Sequence, residues 1–135
     1  MNAPVTGALK STMQQVFSVV KSAGDSFTGD VQTSVGNRIQ GRQLTEVIIT
    51  QTAHSMSTMR GLQARHDFTI EIIAFDKSYI TASGLSDHIM GYISHRKSSD
   101  AFREYSFFPK SQVMYYTDED DFAVALTCEI VAVET

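Results

Sequence analysis

The side chains best able to do chemistry are four histidines, one cysteine, two strand glutamates and one acidic run. His88 and His95 lie seven residues apart near one helix face, roughly 10 Å apart by helical rise, too far to share an ion. His54 and His66 fall in or beside a link between strands. No His-Glu-x-x-His or paired-cysteine spacing accompanies them, so all four read as surface histidines and no metal or cofactor is expected. Cys128 could serve as a nucleophile beside a histidine, but its neighbours are apolar and it reads as a small buried hydrophobe. Glu71 and Glu129 interrupt the mixed faces of two strands, as a general acid/base pair or as carboxylates at a subunit interface. The interface reading is the simpler one. Asp118, Glu119, Asp120 and Asp121 lack the glycine and trailing glutamate of an EF-hand and read as a solvated hairpin tip. Gly36-Asn37-Arg38-Ile39-Gln40-Gly41-Arg42 matches neither a P-loop nor a GxGxxG turn; Arg38 and Arg42 could equally face an acidic neighbour.

The elements that position these residues follow from periodicity. Leu9, Met13, Val16, Phe17 and Val20 predict a first helix, opened by Pro4 and Thr6 and stopped at Gly24. Residues 24–43 read as a long loop with isolated anchors at Phe27, Val31, Val35 and Ile39. Glu46 to Thr52 predicts a strand, His54 to Gly61 a link, and Phe68 to Phe75 a long second strand. Leu85, Ile89, Tyr92 and Ile93 recur at helical spacing from Ala82 onward. Lys97 to Asp100 is a polar break, and Ala101 to Phe108 an ambiguous aromatic stretch stopped by Pro109. Val113 to Tyr116 predicts a third strand. Phe122, Val124, Leu126, Cys128, Ile130 and Ala132 form the core-facing stripe of a fourth. The expected fold is α+β: one domain over residues 1–135, with an antiparallel sheet of about four strands and helices packed on one face.

The bulk properties exclude some classes. A net charge of −4 without a basic stripe argues against a surface built to bind nucleic-acid phosphates. One cysteine excludes an internal disulfide and fits a reducing compartment. No run reaches the roughly 20 apolar residues of a membrane span, and no secretory signal is legible.

The order of these pieces resembles the tail-terminator, or tail-completion, proteins of long-tailed bacteriophages. The helix with Met13, Val16, Phe17 and Val20 is similar to the family's N-terminal helix. Val35-Gly36-Asn37-Arg38-Ile39 resembles the Val-Gly-x-Arg-Ile stretch before its first strand, and Val47-Ile48-Ile49 that strand. Arg65 to Ile72 resembles its long second strand, Ala82 to Ile93 the following helix, and Phe122 to Glu134 the closing strand. The prolines usual before the first strand are missing from Gln40-Gly41-Arg42-Gln43-Leu44.

The resemblance implies a non-enzymatic virion protein, assembled in the host cytoplasm. It would form a hexameric ring that caps the tail tube, ends polymerisation and meets the head-tail connector protein. Its partners would be other copies of itself, the tail tube protein and the connector, with genomic DNA only passing through the lumen and no membrane. Arg38, Arg42, Met56, Met59 and Arg60 are the expected contacts with neighbouring copies or the tube. Asp118 to Asp121 are expected to face a partner or the lumen. Ile73, Phe75, Val131 and Val133 offer apolar area on the second sheet face for such contacts. The competing readings are a head-completion or other neck protein, and a small α+β enzyme or ligand-binding domain built on Glu71, Glu129 or a histidine.

Overall fold

A computed structural model describes residues 7–27, 30–38, 45–58, 64–94 and 96–134. Helix α1 spans Ala8–Phe27 and helix α2 Tyr79–Ile93. The strands are β1 Gln32–Val35, β2 Glu46–Thr58, β3 Ala64–Asp76, β4 Lys97–Ser99, β5 Arg103–Tyr116 and β6 Phe122–Glu134. They form one sheet in the order β1-β2-β3-β6-β5-β4. The α+β class stands, with six strands rather than about four. The sheet is mixed rather than purely antiparallel, because β1 runs parallel to β2.

Both helices share one core with one face of the sheet. Val16 and Val20 of α1 and Leu85, Ile89 and Ile93 of α2 pack with Phe68, Ile70, Ile72, Leu126, Cys128 and Ile130. Alternation along β3 produces that face, since its even-numbered positions from His66 to Ala74 are all buried. The opposite face has only a small cluster of Ile48, Phe75 and Ala123 with half-buried Ile73. Val131 and Val133 are also only half-buried there.

Several boundaries differ from expectation. Gly24 does not stop α1: it is buried inside the helix, which continues three residues further. The expected loop over 24–43 contains the end of α1 and all of β1. The link from His54 is instead a continuation of β2 to Thr58. The polar break at Lys97 forms β4, and the aromatic stretch is strand β5, which runs through Pro109. Pro109 is tolerated because β4 pairs only with Glu104 to Ser106, leaving β5 at the sheet edge beyond that point.

Helix α2 starts three residues earlier than expected. Ser78 caps it, its side chain accepting from the Thr81 N–H at 3.3 Å while its carbonyl receives the Ala82 N–H at 3.0 Å. Loss of such a cap costs about 0.5–2 kcal/mol. Ser78→Ala is expected to fall at the low end, because the bond is long and exposed. Urea unfolding at constant m-value measures this directly.

Two β-bulges shape the long strands. In β2, pairing with β3 shifts between Gln51 and Ala53, leaving Thr52 as an extra residue whose hydroxyl donates to the Thr69 carbonyl at 2.8 Å. In β5, pairing with β6 shifts between Pro109 and Ser111, making Lys110 the extra residue. Each bulge reverses the in-and-out parity of its strand, so side chains beyond it change faces.

Candidate functional site

Arg38 is the centre of the densest ionic cluster among the described residues. Gly36 ends β1 with φ +94°, a conformation open to glycine, and its N–H donates to the Ile49 carbonyl at 3.0 Å. The chain therefore turns back beside β2. Arg38 donates to Glu46 Oε1 from Nε at 2.9 Å and from Nη2 at 2.7 Å. It also reaches Asp121 Oδ2 at 2.7 Å and Glu119 Oε1 at 2.9 Å. The guanidinium lies 4.1 Å from the Phe75 ring centroid. Glu46 is 1% exposed and Asp121 3%, so this cation offsets much of the cost of burying both charges.

The acidic run is therefore not uniform. Asp121 faces inward to Arg38 and Thr117, and Glu119 joins it; Asp118 and Asp120 are exposed. Asp120 turns the hairpin in the left-handed region at φ 62°. Lys77 closes the cluster through the Glu119 and Asp120 carbonyls at 3.5 and 3.2 Å. Arg38 thus has partners within its own chain. Arg42, Met59 and Arg60 lie outside the described residues, whereas Met56 stands half exposed on β2.

Burial alone pushes the Asp121 carboxyl up, but hydrogen bonds from Arg38 and Thr117 outweigh it and hold the group below its ordinary range. A carboxyl lowered on folding adds stability that is complete above the unfolded value of about 3.9 and is lost as pH falls through the folded value. Asp121→Asn is expected to be less stable at neutral pH and to show a shallower loss below about pH 4. Denaturant midpoints across pH 2–7 (an interval set by that window) would measure both. An unchanged acid slope would refute the linkage.

The histidines do not all lie on the surface. His66 is fully buried, which corrects the sequence reading. Its Nε2 lies 3.1 Å from Glu134 Oε2, and its Nδ1 is 3.2 Å from Nε2 of exposed His54. Arg103, 1% exposed, backs the same Glu134 oxygen at 3.3 Å. Glu134 and Arg103 do not stand out in the sequence. The one signal there is that Glu134 extends the even-numbered core stripe of β6 by one step. His88 sits beside Ser26, 2.7 Å from its hydroxyl oxygen, in an arrangement resembling a nucleophile and base. The Ala23 carbonyl, 2.9 Å from the same hydroxyl, competes with His88 as acceptor for its single proton, as a helical serine bonded back to its own turn would have it. His95 lies outside the described residues.

Cys128 is buried and its thiol is pushed up to about 11, chiefly by that burial, which leaves it protonated at neutral pH. Glu71 and Glu129 sit on the face away from the helices, diagonally across the β3–β6 pair, and Lys110 approaches Glu129 at 3.7 Å. Two surface grooves, of about 460 and 470 Å³, lie near Met90 and Phe107 and near Met13 and Phe17. Neither is lined by Glu71, Glu129 or a histidine. No group of three or more His, Cys, Asp or Glu side chains is gathered around a common point among the described residues. No described helix is long and apolar enough to cross a membrane.

The longest run of exposed apolar side chains among the described residues is the second half of β5. Val113 is 61% exposed, and Phe108, Met114, Tyr115 and Tyr116 each exceed 40%. Phe108, Val113 and Tyr115 share the uncovered face with Ile73, Val131 and Val133, because the Lys110 bulge resets the parity. Beyond Ser106 the outer edge of β5 has no strand beside it among the described residues.

No family model and no curated protein matches this sequence. The fold is similar to that of a chain from the virion of a native gene transfer agent (GTA) particle, with a TM-score of 0.55. The likeness covers 89% of this chain and 95% of that one at 12% identity. At that identity what is shared is the fold.

Proposed function

We propose that this chain is a virion structural protein of the tail-terminator type, which closes into a ring on the end of a tail tube and stops its growth. The observation carrying the reading is the apolar strip of Phe108, Val113 and Tyr115 on an uncovered sheet face beside an open strand edge. Monomeric proteins seldom leave such a surface and edge together without a partner. A ring satisfies them through heterologous contacts, in which one patch meets a different patch of the next copy. The fold shared with a virion chain is in keeping with that role. Substrate chemistry has no part in it, and DNA would only traverse the lumen.

The proposal places Arg38 inside the protomer, as the lock holding the β5–β6 turn against the start of β2. Met56 and the exposed carboxylates Asp118 and Asp120 are left for contact with other copies, tube or connector. Two measurements test it. Native mass spectrometry should find six copies, and the purified protein should block elongation of preformed tail tubes. A stable monomer without effect on elongation would defeat the proposal. A ring that binds connector but leaves tubes growing would favour a neck protein instead.

A further inference from the structure

The far end of the helix-covered face carries a polar chain at the edge of an apolar layer. His66 is 0% exposed, and its Nε2 faces the Glu134 carboxylate at 3.1 Å. That nitrogen donates its proton to the carboxylate, leaving the Nδ1 lone pair directed toward His54. His54 Nε2 stands 3.2 Å away. The His54 ring stacks on Phe68 with centroids 4.2 Å apart and planes 6° from parallel, so its direction is fixed as well. The bulge at Thr52 brings this about. Before it, Val47, Ile49 and Gln51 face the helices; after it, His54 and Met56 do, opposite Phe68 and His66. Without the extra residue His54 would project from the other face.

We propose that His54 Nε2 and His66 Nδ1 form a binding site for a divalent d-block cation of the zinc or copper class, with Glu134 orienting His66 from behind. In a tetrahedral zinc site with bonds of about 2.0–2.1 Å, two ligand nitrogens lie about 3.3–3.4 Å apart. The observed 3.2 Å is within about 0.2 Å of that spacing and at the upper end of the hydrogen-bond range, so a cation can replace the shared proton with little movement of the rings. A carboxylate on the far nitrogen of a ligating histidine is the usual outer-sphere support, because it fixes the tautomer and raises ligand basicity. Arg103 holds that carboxylate in turn. Imidazole donors select against magnesium and calcium, which take oxygen ligands. His54 and Met56 are exposed, so the remaining coordination positions open to water or to a donor from another chain. This inference does not depend on ring assembly.

The test uses untagged full-length protein. Calorimetric titration with zinc chloride should saturate near one equivalent per chain. Copper(II) bound at the same site should show coupling to two nitrogens by electron paramagnetic resonance. His54→Ala, at an exposed position, should lose at least about 10-fold in zinc affinity, and Glu134→Gln about 10–100-fold. His88→Ala should change neither. Thermal melts without metal separate lost affinity from lost folding in the buried Glu134→Gln variant. Absence of saturable uptake overturns the proposal, and so does undiminished affinity in His54→Ala. Either result would mean that the two rings only share a proton.

Discussion

Arg38→Ala is expected to lower the unfolding free energy by about 3–5 kcal/mol, the range for removing one partner of a buried ion pair. The variant keeps the carboxylates of Glu46 and Asp121, both nearly inaccessible to water, and deletes the guanidinium that neutralises them. The cation's contact with the Phe75 ring goes too, adding a smaller loss. Glu119, more than half exposed, contributes little by comparison. Arg38→Lys should recover only part of the loss. An ammonium cannot reproduce the paired Nε and Nη2 contacts with Glu46 while also meeting Asp121. Guanidinium denaturation of the three proteins at neutral pH is the measurement. A loss below about 1 kcal/mol would show that water or a rearranged lysine replaces the cluster readily.

The second large effect concerns assembly rather than folding. Val113→Lys combined with Tyr115→Lys should leave monomer stability within about 0.5 kcal/mol, because both side chains already stand in solvent. The same pair should abolish ring formation and tube capping, since lysines on an open edge are a natural block to strand and sheet association. Sedimentation velocity reads the oligomer, and the elongation assay reads the activity. Rings that persist in the double variant would place the subunit interface elsewhere. A mixed outcome is also informative: rings without capping would assign this strip to the tube and not to the neighbouring copy.

How much of the fold the sequence disclosed depended on the length of each pattern. The core stripe of β6 is long and regular and was legible; that of α1 was legible only in part, because Val16 and Val20 are buried while Leu9 is 46% exposed and Ala8 and Thr12 take core positions instead. β1 was not, because its four residues show no period and lie in a polar stretch. Pro109 reads as a stop, yet the strand passes it, at a point where no described strand pairs with the outer edge of β5. The bulges at Thr52 and Lys110 break the alternation, so the pattern ends there although the strands do not. Arg38 could be matched to an acidic neighbour by type alone. Which acids it meets depends on a hairpin 83 residues away. The His54–His66 contact was hidden for the same reason: the register that joins them contains an irregularity no local period reports.

The surplus residue at Lys110 also separates the obligations of the two halves of β5. Upstream, Arg103, Tyr105 and Phe107 are committed to the interior. Downstream, every position from Lys110 to Tyr116 is open to solvent. Gln112 and Met114 still reach α2 through Ser86, Asp87 and Ser83, but Val113 and Tyr115 lie on the other face, where drift alters the displayed surface without a compensating change beneath the helices. That modularity would let related chains acquire new docking specificities while retaining an old scaffold.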